Sequence, residues 1–241
     1  MLDKQQLIAV AKRLCALGPL LAVSSGSNAV GKTMQKYLEI EHSVTQRNRL
    51  FGYTITSTVA KNSFSGRTNL FACVPNWDIS RVKSSKELLL SVGREDLSKG
   101  YSRSLFCTVS AQSKNSFGLE LRVNLGSNTL EEIFDGAPIV SWELGKLEAK
   151  LGQIGEAAIL SAVPVDLNGR KAFHYRYLDI LGSPNTDIFK DLLDDGAVTL
   201  DHLISMKLGS TSAREQGPLF KISASARTEL YGNPLRIDLT D

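Results

Sequence analysis

Residues 24–38 read Ser-Ser-Gly-Ser-Asn-Ala-Val-Gly-Lys-Thr-Met-Gln-Lys-Tyr-Leu, and residues 50–57 read Leu-Phe-Gly-Tyr-Thr-Ile-Thr-Ser. They describe a glycine-rich turn, a short helix, a polar crossing and an apolar strand beginning near Leu50. Gly26 to Thr33 satisfies the phosphate-loop pattern G-x-x-x-x-G-K-[ST] at every position. In that pattern backbone N–H groups cradle phosphate, the lysine (here Lys32) reaches the outer phosphates, and the hydroxyl holds Mg²⁺. A nucleotide site also needs a Mg²⁺-positioning aspartate at the end of a second apolar strand. Asp166, after Ala162-Val163-Pro164-Val165, is the candidate, and Pro164 argues against a central strand there. Regular alternation of strands with crossover helices is missing as well. A phosphate-loop nucleotide-binding protein is therefore the alternative, not the leading interpretation.

The same turn and helix support a second reading when taken with seven later segments. Ser-Gly-Ser-Asn-Ala-Val-Gly-Lys-Thr is followed by Leu70-Phe71 with Val74-Pro75-Asn76-Trp77-Asp78, then Lys83-Ser84-Ser85-Lys86-Glu87, then Phe106-Cys107-Thr108-Val109-Ser110-Ala111. Trp142-Glu143-Leu144, Phe173-His174-Tyr175, Thr199-Leu200-Asp201-His202-Leu203-Ile204 and Gly217-Pro218-Leu219-Phe220-Lys221-Ile222 complete the series. In this order the segments resemble the MvaI/BcnI family of type II restriction endonucleases, which is similar to the MutH nicking enzyme. The resemblance implies an α/β restriction-endonuclease-like fold: a mixed sheet flanked by helices, in two lobes around a DNA cleft. It implies a catalytic-type lobe over residues 1–155 and a recognition lobe over residues 156–241.

Members of the family carry an acidic residue in the helix after the turn, then an Asp, then Glu-x-Lys in the next strand. This is the PD-(D/E)xK pattern. Its carboxylates bind Mg²⁺, the metal activates water and steadies the scissile phosphate, and the lysine positions the nucleophile. Strand alternation puts the Glu and Lys on one face. Carried over to this chain, the helix acid falls on Gln35, the Asp near Arg49, the Glu on Thr54 and the Lys on Thr56. The segment from Gln46 to Leu50 holds no carboxylate that a slipped alignment could recruit. The resemblance thus implies a site without its catalytic residues or a cofactor, Mg²⁺ being expected only if the nuclease is active. Gly118-Leu119-Glu120-Leu121-Arg122 imitates Glu-x-Lys, but arginine stays charged and cannot transfer a proton. Glu39 and Glu41 could supply a ligand to a displaced centre, so an active Mg²⁺-dependent endonuclease stays open as an alternative; solvated surface charge is the favoured explanation of these residues.

The 241 residues suffice for one or two lobes with a real core. Hydrophobic residues make up 42% and charged residues 22%, ordinary values for a globular chain. A net charge of +3 and a pI near 8.7 permit a polyanionic partner without requiring one. Cys15, Cys73 and Cys107 are odd in number and widely spaced in apolar settings, which reads as buried thiols in a reducing compartment. No apolar run approaches the ~18 residues of a membrane span and no signal sequence is evident, so no membrane partner and a cytoplasmic location are expected.

Along the chain, Asp3 is a candidate N-cap for a helix with Leu7, Ile8, Val10, Ala11 and Leu14 on one side, and Gly18-Pro19 stops it. A strand over residues 50–59 leads into a basic loop, residues 61–69, whose Lys61 and Arg67 suit phosphate contacts. Residues 70–75 read as a strand. Ser84 with Glu87 forms a capping box for a helix through Val92. Strands at 105–111 and 118–125 follow, then a connecting segment at 129–135 and a helix over 142–151. Asn168-Gly169 signals a hairpin. A helix over 187–193, closed by Gly196, precedes a further short helical piece over 199–206.

The resemblance places base-reading Arg and His side chains in the C-terminal half, where His174, His202, Arg214 and Lys221 are the matching positions. Arginine suits guanine O6 and N7, and histidine serves as donor or acceptor by its protonation. For His202 a satisfied structural histidine is the competing reading. The expectation is a pseudoenzyme of restriction-endonuclease type that binds double-stranded DNA without cutting it. Such a protein could serve a defence or mobile-element system beside a catalytic protein partner.

Overall fold

The structure is a computed structural model that describes residues 2–26, 28–39, 49–60 and 66–241. In chain order its helices are α1 (Leu2–Ala16), α2 (Ala29–Tyr37), α3 (Ser85–Val92), α4 (Leu144–Gly152), α5 (Phe189–Asp194) and α6 (Arg227–Tyr231). The strands are β1 (Leu20–Leu21), β2 (Arg49–Leu50), β3 (Tyr53–Val59), β4 (Thr68–Ala72), β5 (Arg94–Asp96), β6 (Tyr101–Val109), β7 (Glu120–Asn124) and β8 (Thr129–Phe134). They continue as β9 (Ala137–Glu143), β10 (Ala157–Leu167), β11 (Arg170–Leu181), β12 (Val198–Lys207), β13 (Arg214–Glu215), β14 (Leu219–Ile222) and β15 (Leu235–Asp238). The mixed sheets and flanking helices agree with the fold class read from the sequence.

Two compact units share these elements. Unit 1 is Met1–Ser65 with Ile154–Pro184 and Tyr231–Asp241, and unit 2 is Gly66–Gln153 with Asn185–Leu230. The single cut expected between residues 155 and 156 does not describe this division. Strands β10 and β11 lie in the C-terminal half yet complete the sheet to which β3 belongs, and β12 and β14 return to pair with β6 and β4. Long-range pairing therefore interleaves the two units along the chain.

In unit 1 the sheet order is β1-β11-β10-β3-β2, with β15 also on β11. The β3–β10 pair is parallel and the others antiparallel. Asn168 (φ 54°) and Gly169 (φ 77°) turn the β10–β11 hairpin, the left-handed pair that a two-residue loop requires. Pro164 lies in β10 after the last residue paired with β3, where its missing N–H breaks no ladder on that side. Leu7, Ala11 and Leu14 of α1 and Val30 and Met34 of α2 pack with Tyr53, Ile55, Leu160, Phe173 and Tyr175. Tyr175 keeps its buried hydroxyl satisfied by donating to the Val30 carbonyl at 2.6 Å.

Unit 2 holds the antiparallel sheet β4-β14-β12-β6-β5, with β13 on β12, and a three-stranded sheet β7-β8-β9. Phe71, Phe189, Phe220 and Trp142 form an aromatic cluster, with Phe71 and Phe220 stacked at 5.1 Å and Trp142 edge-on to Phe220 at 5.9 Å. The Trp142 indole donates to the Cys73 carbonyl at 2.8 Å. Ser84 caps α3 by accepting from the Glu87 N–H, and Glu87 reaches back to the Lys83 N–H at 2.8 Å.

Three expectations need correction here. Residues 129–135 are not a mere connection, since β8 is the middle strand of its sheet. Trp142 ends a strand rather than opening a helix, and α4 starts at Leu144, although Leu144, Leu147 and Leu151 face the core as expected. Residues 199–206 form strand, not helix, because β12 sits between β14 and β6. Its first five residues are all buried, and burial on both faces erases the alternation that marks a half-buried strand.

Candidate nucleic-acid interface

Among its described residues the glycine-rich turn does not build a phosphate cradle. Helix α2 already begins at Ala29, and the N–H groups of Ala29 and Lys32 are spent on the carbonyls of Gly26 and Asn28. The Thr33 hydroxyl is fully buried; it donates to the Ala29 carbonyl at 2.8 Å and accepts from the Val23 N–H at 3.2 Å. A hydroxyl committed in this way cannot ligate Mg²⁺. Lys32 is exposed on α2. Asp166 accepts from the Gly169 N–H at 2.8 Å and so serves the hairpin, not a nucleotide.

Strand alternation sends Tyr53 and Ile55 into the core and puts Thr54 and Thr56 together on the opposite face. Thr54 lies directly across from Arg49 in the β2–β3 ladder and donates its hydroxyl to the Ile154 carbonyl at 2.8 Å. Gln35 is half-buried on α2, the helix whose Val30 and Met34 pack on the core face of β3. Arg49, Thr54 and Thr56 thus lie close together with no carboxylate among them. Mg²⁺ requires anionic oxygen ligands, and this donor set does not fit it. Among the described residues no group of three His, Cys, Asp or Glu side chains could hold a metal ion.

Several other carboxylates are engaged elsewhere. Asp179 on β11 is 1% exposed and takes a bidentate grip from Arg236, at 2.8 Å to each oxygen. Glu120 faces Lys114 at 4.0 Å, and Arg122 pairs with Glu131. Glu39 is exposed with φ 54°, while Glu41 and Lys61 lie outside the described residues.

The expected DNA contacts sort by strand alternation in unit 2. On β12, Leu200, His202 and Ile204 point into the core, each 0% exposed, while Thr199, Asp201, Leu203 and Ser205 take the opposite face. That opposite face gathers cations. Arg67 places Nη1 2.6 Å from Asp201 Oδ1 and Nη2 3.3 Å from Oδ2, and Nη1 also donates to Thr199 Oγ1 at 2.9 Å. Lys221 puts Nζ 2.7 Å from Asp201 Oδ2, and Thr108 donates to Oδ1 at 2.7 Å. Arg214 on β13 pairs with Ser205 of the same row and is exposed. Two cations meet one carboxylate around Asp201, leaving a local surplus of positive charge, and Arg214 stands farther along β12 opposite Ser205. Burial would raise the Asp201 carboxyl, but hydrogen bonds from Lys221, Arg67 and Thr108 outweigh it and hold the group below its ordinary range.

His202 does not belong to this face, and the base-reading role expected of it is corrected. Its Nε2 is 2.8 Å from Glu132 Oε2, with both side chains fully buried. Burial opposes charge on the imidazole, yet the adjacent Glu132 carboxylate outweighs it and raises the histidine above its ordinary value. Cys107, paired with His202 across β6 and β12, is pushed up to about 12, by burial first and Glu132 second. His174 is also used inside its own unit: it sits in unit 1 with Nε2 3.2 Å from the Cys15 carbonyl and 3.6 Å from the Cys15 thiol. The three cysteines are free thiols, as read from their spacing.

Sequence reasoning named Arg67, Arg214 and Lys221 as candidate contacts and did not name Asp201, the carboxylate that holds two of them. The signal was present: Asp201 stands in an apolar strand segment, where a carboxylate must find cationic partners. Glu132 carried the same signal in Leu130-Glu131-Glu132-Ile133.

Comparison with known proteins identifies the family and the fold. The sequence model of the MvaI/BcnI restriction endonuclease family matches residues 10–231. The restriction endonuclease MvaI in complex with its cognate DNA substrate superposes with a TM-score of 0.78 at 17% identity, covering 98% of this chain and 97% of that one. MvaI in the absence of DNA gives a TM-score of 0.54, also at 17% identity, over 96% of each chain. No curated protein sequence matches this chain. The protein belongs to the MvaI/BcnI restriction endonuclease family.

Proposed function

We propose that this protein binds double-stranded DNA through the Arg67, Lys221 and Arg214 face of unit 2 and does not cleave it. The carrying observation is the chemistry of the four positions where the family pattern requires catalytic residues. Gln35, Arg49, Thr54 and Thr56 offer one cation, one amide and two hydroxyls, which cannot hold Mg²⁺ or position a water for attack on phosphate. The clustered cations supply what duplex binding requires, since phosphate neutralisation dominates affinity. The DNA complex of MvaI, whose fold this chain shares, supports duplex DNA as the ligand class. A binder of this kind acts as the DNA-recognition subunit of a defence or mobile-element system in the cytoplasm, with cleavage supplied by a protein partner.

The test is a titration of labelled duplex over a range of salt concentrations. Binding with log affinity falling linearly against log salt supports the proposal. Affinity that is absent, or indifferent to salt, removes it.

A further inference from the structure

We infer that Phe106 is a stacking platform for an unpaired base, so that this protein takes a duplex carrying one unpaired nucleotide in preference to a fully paired one. The inference rests on the DNA-binding proposal and deepens it by naming the form of DNA.

Register in the β6–β12 ladder lays three rows across the face that holds Arg67 and Lys221. Thr108 lies opposite Asp201, Phe106 opposite Leu203, and Ser104 opposite Ser205, whose other neighbour is Arg214. Rows two residues apart on an antiparallel strand are separated by about 7 Å. The apolar Phe106–Leu203 row is therefore flanked at that distance by Asp201 with its two cations on one side and by the Arg214 row on the other.

Phe106 is 39% exposed in the middle of a nine-residue strand whose Leu105 and Val109 are fully buried. Tyr101 meets its ring edge-on, with centroids 5.6 Å apart and planes at 79°. That contact braces the Phe106 ring from the side, and the exposed remainder is aromatic surface between cations. An exposed apolar row bordered by charge marks an interaction site.

The chemistry of the row selects its occupant. Paired bases show a protein only their edges in the grooves, where hydrogen-bonding groups dominate. A phenyl ring has no donor or acceptor with which to read an edge. An unpaired base can turn outward and offer a flat π-face, which an aromatic side chain covers whatever the base. Cations on both sides of the ring then meet the phosphates that flank the extruded nucleotide. An apolar protein segment would also cover Phe106, but it would leave the positive surplus around Asp201 without an anion.

The experiment titrates the 241-residue chain with one labelled duplex in three forms: fully paired, with a single unpaired adenine, and with an abasic residue in place of that adenine. The unpaired adenine should tighten binding over the paired form by about 5- to 150-fold, the range of one stacked base. The abasic form should lose that gain, because it keeps the backbone and its flexibility but has no ring to stack. Phe106→Leu keeps an apolar side chain at this partly exposed position and should abolish the difference between paired and unpaired forms. Phe106→Tyr keeps a ring and should retain it. If the unpaired and abasic forms bind equally, flexibility rather than stacking decides, and the inference falls. It falls as well if all three forms bind alike, or if Phe106→Leu leaves the difference intact; DNA binding stands in each of these cases. If no form binds, the DNA-binding proposal itself fails and takes this inference with it.

Discussion

His202 Nε2 lies 2.8 Å from Glu132 Oε2, and neither side chain has any exposed surface. The pair joins β12 to β8, strands of the two sheets of unit 2. A buried ion pair is costly to assemble but far costlier to break singly, because the survivor is left charged without a partner. His202→Ala should therefore destabilise unit 2 by about 3–5 kcal/mol. Denaturant unfolding monitored by Trp142 fluorescence measures this; a loss under about 1 kcal/mol, the scale of an exposed pair, would contradict the assigned pairing.

The pair also gives stability a direction with pH. The folded His202 titrates above its unfolded value, so its contribution is complete below about pH 6.5 and is lost as pH rises through the raised folded value. Asp201 behaves oppositely: its folded value is lowered, so its contribution is present above about pH 3.9 and is lost as pH falls through the depressed value. Thermal melts across this range should show decline on both sides of mildly acidic pH. His202→Gln should flatten the alkaline side alone; an unchanged alkaline side in that variant would refute the assignment.

Arg214→Ala should weaken duplex binding and reduce the salt slope by about one, the signature of a lost phosphate contact. Thr54→Ala and Thr56→Ala should leave affinity and slope unchanged, since their face carries no ligand for DNA or metal in this account. Titrations of the three variants separate the two faces, and the reverse ranking would place the interface in unit 1.

ATP and GTP should show no saturable binding by calorimetry. The N–H groups of Ala29 and Lys32 are already bonded, and the Thr33 hydroxyl is buried between Ala29 and Val23. Saturable binding abolished by Lys32→Ala would overturn that reading.

Local chemistry made some of this structure legible in advance, and tertiary pairing hid the rest. The Ser84 cap, the Asn168-Gly169 turn and the apolar side of α1 are each decided within a few residues, and each stands as read. β12 was read as helical because its strand character comes from β14 and β6, neighbours well separated from it in sequence. Misreading β12 concealed the alternation of Asp201 and His202, and with it the division between the face that holds Arg67 and Lys221 and the core face. The interleaved units were hidden for the same reason: nothing local to Ala157–Leu167 announces that it pairs with Tyr53–Val59. At Thr54 and Thr56 the positions came from the family resemblance and the shared face from strand alternation, both legible before the structure, which puts the two threonines on the face opposite Tyr53 and Ile55.

One titration tests the central claim most directly: labelled duplex DNA with the 241-residue chain, with and without Mg²⁺, read for mobility shift and strand integrity together. The account predicts a shift that weakens steeply with salt and strands that remain whole whether or not Mg²⁺ is present. Strand cleavage that depends on Mg²⁺ and on this protein would contradict it, because Gln35, Arg49, Thr54 and Thr56 offer no carboxylate to hold the ion.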